Sequence, residues 1–187
     1  MLSLIVTLFF VVVVVTCFFL GLAHVIEAQQ KNYSSDLLFI ALFSNGESQI
    51  SDDINFIDVE QVQAGIPLFG YNISGIKVID HAGNPIEFVQ EENKQPKEVL
   101  IESPNKQGIR IAYQTSDLTQ HINKKWVFSI NSSSPFTLKL PINSTILDWN
   151  VMPISFELLG EQHLLSFNPG NVTMSYILEY TRMEDVS

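Results

Sequence analysis

The chain has 187 residues, of which 46% are hydrophobic and only 16% charged, a composition far from that of disordered chains. Twenty acids against ten bases leave a formal net charge of -10, a field that repels phosphate backbones and argues against nucleic acid as a partner. With the first thirty residues set apart, about 155 remain, enough for one domain around a single core.

The first thirty residues, "MLSLIVTLFFVVVVVTCFFLGLAHVIEAQQ", carry no charged side chain before Glu27 and no base at all; the first base is Lys31. The stretch from Leu2 to Leu20 exceeds the usual h-region of a secretory signal and reaches the length that spans a bilayer as a helix. Small-x-small cleavage is offered at Gly21-Leu22-Ala23, and less well at Ile26-Glu27-Ala28. Signal peptide and retained anchor both stay open, with residues 1–23 as the membrane contact if the segment is uncleaved. Either one puts the rest of the chain outside the cytoplasm, anchored at the cell surface or secreted. Cys17, the one cysteine, ends Val14-Val15-Thr16-Cys17, which has a bulky residue where a lipobox wants Gly or Ala, so it reads as one more apolar side chain. No disulfide is available to the body of the chain.

After Lys31 the periodicity becomes two. In "NVTMSYILEY", Val172, Met174, Tyr176, Leu178 and Tyr180 alternate with Thr173, Ser175 and Glu179, the pattern of a half-buried antiparallel strand. The same alternation groups Ile109, Ile111 and Tyr113, then Trp126, Phe128 and Ile130, then Phe136, Leu138 and Leu140. Shorter strands are expected at "DLLFIALF", "NFIDVEQV", "GIKVID", "IEFVQ", "EVLIES", "SFELL" and "HLLSFN", with turns at Asn45-Gly46, Gly83-Asn84-Pro85 and Asn168-Pro169-Gly170. Many short strands without a helical run predict an all-β fold: an antiparallel β-sandwich, immunoglobulin-like in character, over residues 31–182. An apolar helix over 1–30 precedes it and a short tail over 183–187 follows.

Reactive groups do not converge in the sequence. His24, His81, His121 and His163 are isolated, without metal-ligand spacing, and read as surface or turn residues. Nucleophile elbows, phosphate loops and dinucleotide fingerprints are missing, so no catalytic, cofactor-binding or metal-ligating residue is nominated. The acids of "SDDINFIDVEQ" (Asp52, Asp53, Asp58 and Glu60) do not follow a calcium-loop pattern and read as a solvated strand face. Five N-x-S/T sequons stand out, at Asn32, Asn72, Asn131, Asn143 and Asn171. They fit glycans on an exported domain, and equally Asn and Ser as turn formers.

Several stretches taken together carry a resemblance: "LFSNGESQI", "VIDHAGNPI", "IRIAYQTSDL", "FTLKLPINSTI" and "PGNVTMSYILEY". In this order they resemble the extracytoplasmic β-sandwich domains of archaeal membrane-associated surface proteins, over about Leu37 to Tyr180. The resemblance implies fold and location and brings no catalytic residues. Members of that group often continue into a C-terminal membrane helix, whereas this sequence ends at "TRMEDVS", which puts any anchoring at the N-terminus. The function expected is a non-enzymatic cell-surface glycoprotein making structural or adhesive contacts with other envelope proteins or glycans. A sugar- or peptide-binding module and a pilus- or archaellum-associated subunit are the alternatives. The former would show as aromatics clustered on the polar side of a sheet.

Overall fold

The computed structural model describes residues 33–57, 63–91, 96–102 and 108–179. The apolar leader with Cys17 and His24, the sequon at Asn32, the acids Asp58 and Glu60, Tyr180 and the C-terminal tail lie outside these residues. Among the described residues the regular elements are fourteen strands: β1 (Tyr33–Leu42), β2 (Ser48–Phe56), β3 (Gln63–Pro67), β4 (Ile73–Asp80), β5 (Val89–Glu91), β6 (Glu98–Glu102), β7 (Ile109–Thr115), β8 (Thr119–Ile122), β9 (Lys125–Ser132), β10 (Phe136–Lys139), β11 (Ser144–Trp149), β12 (Ser155–Leu159), β13 (Gln162–Phe167) and β14 (Gly170–Leu178). No helix among the described residues is long and apolar enough to cross a membrane.

The strands form three sheets, ordered β12-β13-β10-β1-β2-β7-β4, β11-β14-β9-β8 and β3-β6-β5. One pairing corrects the expectation of a purely antiparallel fold. β1 and β10 run parallel, with Leu38 beside Phe136 and Ile40 beside Leu138. Parallel neighbours need a long crossover, which here is supplied by everything from β2 to β9. The class is therefore all-β with several sheets.

Alternation decides which face each strand buries. Ile109, Ile111 and Tyr113 of β7, Phe136 and Leu138 of β10, and Val172, Met174 and Tyr176 of β14 are all buried, as their spacing requires. The seven- and four-stranded sheets meet in a shared core: Phe128 of β9 lies 6.5 Å from Phe136 of β10, whose ring stacks on Phe167 of β13 at 5.2 Å. Ile66, Val99 and Ile101 bring the small sheet into the same core.

The acidic run departs from the solvated-face reading. Asp52 and Asp53 are both half-buried on β2, a strand paired on both sides, where successive side chains alternate between faces. Asp52 accepts a hydrogen bond from the Ser35 hydroxyl at 2.5 Å. Asp53 takes a two-pronged contact from Arg110, with Nε and Nη2 at 2.5 and 2.8 Å. Its carboxyl is held below the usual range by that hydrogen bond above all.

Two buried tyrosines should respond in opposite ways to loss of the hydroxyl. Tyr176 is fully buried with no partner for its hydroxyl among the described residues, and burial pushes its ionisation upward. The Tyr113 hydroxyl accepts the Phe69 amide at 2.8 Å. Tyr176→Phe is expected to leave stability unchanged or raise it by about 1 kcal/mol, because an unsatisfied polar group is removed; Tyr113→Phe should lower it by about 1–2 kcal/mol by orphaning an amide. Urea denaturation of the two variants reads both effects.

Candidate functional site

β11 ends one sheet and β12 ends another, and the chain passes directly from the first to the second. The crossing is fastened at both ends. Asn150 exchanges three hydrogen bonds with β14, through its amide to Thr173 O (3.0 Å), its side-chain nitrogen to Asn171 O (3.0 Å) and its side-chain oxygen from Thr173 N (2.7 Å). The Ile154 amide then donates to Ser166 O of β13 at 2.8 Å. Between these anchors the backbone has turned from one sheet to the other, leaving a cleft of about 450 Å³ lined by Ser144, Ile146, Trp149, Phe156 and His163.

Exposed apolar side chains lie on and between the two strands that border the cleft. Phe156 pairs with buried Leu165, and Leu158 with His163, so both sit on the core-facing side of β12, yet they are 51% and 63% exposed. A bulge between Ile146 and Asp148 shifts the register of β11, and Leu147 there is exposed. Val151, Met152 and Ile154 of the crossing are exposed as well. Isolated apolar residues on a surface are ordinary, but a contiguous group at two adjoining sheet edges marks an interaction surface. Acids predominate along this part of the chain: Asp148, Glu157, Glu161 and Glu179 occur here, and no Lys or Arg lies between Lys139 and Arg182 in sequence.

His163 ties β13 of one sheet to β11 of the other. Its Nε2 lies 3.1 Å from Ser144 O, so Nε2 carries the proton, and its ring lies 5.2 Å from Phe156 at a tilt of 47°. Nδ1 is buried without a partner among the described residues. The surface-or-turn reading thus fails for His163, which is half-buried. His81 and His121 are exposed, the latter tilted against Trp126 at 4.8 Å. Among the described residues, no three His, Cys, Asp or Glu gather closely enough to hold a metal ion.

The described sequons separate by local geometry. Asn72 donates from Nδ2 to Asp117 at 2.8 Å, in a turn where Asp117 also accepts the Tyr71 and Asn72 amides at 2.5 and 2.6 Å. Asn143 has φ 58°, a left-handed conformation that Asn tolerates. Turn chemistry therefore accounts for both. Asn131 and Asn171 instead stand exposed on β9 and β14, each one residue from a strand end, directly opposite one another. Their Cβ atoms are about 5 Å apart by strand geometry.

Asp117 should set part of the acid limb of stability. Partial burial pushes its carboxyl up, but hydrogen bonds from Asn72, Tyr71 and Thr115 outweigh this and hold it below its ordinary value of 3.8. A folded value below the unfolded one gives a contribution that is complete above the unfolded value and disappears as pH falls through the folded value. Asp117→Ala is expected to lower stability at neutral pH by about 1–2 kcal/mol and to flatten the loss below about pH 4, as read by urea midpoints across pH.

No protein-family model and no curated protein matches the chain. Solved structures do match. LTA4 hydrolase from Saccharomyces cerevisiae aligns with a TM-score of 0.51 at 9% identity over 78% of this chain, and the yeast enzyme in complex with bestatin gives 0.52 at 9% over 77%. In both, this chain spans only 29% of the other. An M1 zinc metallopeptidase from Deinococcus radiodurans aligns at 0.46 and 10% identity, over 79% of this chain and 42% of that one. At such identities the likeness to LTA4 hydrolase is one of fold alone, over less than a third of that protein's length.

The exposed mouth is not evident from sequence because "SFELL" reads as an ordinary short strand. Two signals were available: adjacent apolar residues at Val151-Met152 and Leu158-Leu159, which break the period of two, and the long stretch without a base. The aromatics do cluster, as a binding module would require, but at the junction of two edges instead of on the polar side of a sheet.

Proposed function

We propose that the chain is a non-enzymatic, extracytoplasmic contact module: a β-sandwich of immunoglobulin-like character, carried or delivered by its apolar N-terminal segment, that holds another envelope component in the mouth between β11 and β12. The observation that carries this reading is the group of exposed apolar side chains, Leu147 on β11, Met152 and Ile154 on the crossing, and Phe156 and Leu158 on β12, with the crossing tied to both sheets. A rigid frame lowers the ordering cost of binding, and the exposed apolar area supplies the driving force. The leader and the strand sequons Asn131 and Asn171 support the location, since glycans there would stand on the outer face of the four-stranded sheet. The archaeal surface-domain resemblance points the same way.

The location is testable in intact cells of the native host. Lys77, exposed on β4 at the far edge of the seven-stranded sheet, is replaced by cysteine in a Cys17→Ser background. A membrane-impermeant maleimide should label it without permeabilisation. Labelling only after the cells are opened would contradict an extracytoplasmic module.

A further inference from the structure

We infer that the mouth takes an extended polypeptide strand, apolar on one face and basic on the other, which adds to the free edge of β12. The inference rests on the contact-module reading and names the class of partner. Three observations carry it. Among the described residues β12 is paired to β13 on one side only, which offers the backbone groups on its other side to a further strand. Phe156, which lines the cleft with Trp149, and Leu158, two residues on, share one face of β12, so an added strand would place alternate apolar side chains beside them.

The charge settles which strand fits. Glu157 lies between Phe156 and Leu158 on the opposite face of β12, and Glu161 follows in the turn to β13; both are exposed. Along the row that holds Glu157, the next residues are Leu164 and then Lys139, so the nearest base of that row is two strands away, about 10 Å. An incoming strand with Lys or Arg on that face meets unopposed carboxylates. A second copy of this chain would instead bring Glu157 and Glu161 against themselves, under a net charge of -10 on each molecule, and like charges directly opposite destabilise a strand pair.

The test uses the purified full chain and two eleven-residue peptides, one alternating Val and Lys and one alternating Val and Glu. The Val/Lys peptide is expected to bind at least about tenfold more tightly, with the preference shrinking as salt rises. It should also slow hydrogen exchange at the β12 amides that point away from β13. Phe156→Ser with Leu158→Lys should abolish binding of the Val/Lys peptide at unchanged fold, judged by circular dichroism, and Glu157→Lys with Glu161→Lys should reverse the preference between peptides. The inference is overturned if neither peptide binds, if binding leaves β12 exchange unchanged, or if the two peptides bind equally. It is also overturned if the mouth variant abolishes concentration-dependent self-association or binding to phosphatidylcholine vesicles, since the occupant would then be a second copy or a lipid surface. Failure of the peptides, while a photo-crosslinking residue at position 158 still forms a discrete adduct in intact cells, would sink the strand partner and leave the contact module standing.

Discussion

Phe128→Ala is expected to destabilise the fold by about 3–5 kcal/mol, whereas Phe156→Ala, the same truncation on an exposed ring, should cost less than about 1 kcal/mol. Phe128 is fully buried and abuts Phe136 across the interface of the two larger sheets, so its removal opens a cavity where β9 meets β10. Neighbours paired on both sides cannot collapse into that space without breaking ladders. Against a typical total stability of about 5–15 kcal/mol, the loss would bring the domain close to unfolding at physiological temperature. Phe156 touches His163 and little else on its open side, so its value lies in what it can bind. Urea unfolding of both variants makes the comparison, and equal losses would mean that the mouth is core.

Gly46→Ala should rank next, at about 2–4 kcal/mol, through two separable causes. Gly46 closes the β1–β2 hairpin with φ 88°, a conformation that costs any side-chain-bearing residue about 1–2 kcal/mol. A Cβ there would also fall 2.5 Å from Cζ3 and 2.7 Å from Cη2 of Trp126, so the hairpin tip rests on the indole of the other sheet. The Thr119 hydroxyl fixes the same tip by donating to Gly46 O at 2.5 Å. Trp126→Leu vacates the ring space without changing φ. In the double variant the two losses should therefore sum to at least about 1 kcal/mol less than separate effects would. Simple additivity would locate the whole cost in the backbone.

Much of the fold could be read from alternation, and the departures have physical causes. β7, β9, β10, β13 and β14 bury one clean face and were legible. β2 was obscured because Asp52 and Asp53 interrupt its apolar run between Ile50 and Ile54, and their partners, Ser35 and Arg110, come from distant parts of the chain. β11 was missed because the bulge at Leu147 breaks the period of two. β8 was missed because its turn to β9 uses Asn123-Lys124, both at positive φ, in place of the expected Asn-Gly. The parallel pairing of β1 with β10 leaves no local trace at all. The site was less legible still: exposure of Phe156 and Leu158 follows from where the four-stranded sheet stops, which is a property of topology and not of any short stretch.

The contact-module account is tested most directly by placing a photo-crosslinking residue at position 158 and, separately, at position 77 on the opposite edge, in intact cells of the native host. The account predicts a discrete adduct from position 158 that is absent from position 77 and is lost when Phe156 is replaced by Ser in the same chain. Equal crosslinking from both positions, or none from 158 while the protein is folded and present, would contradict it.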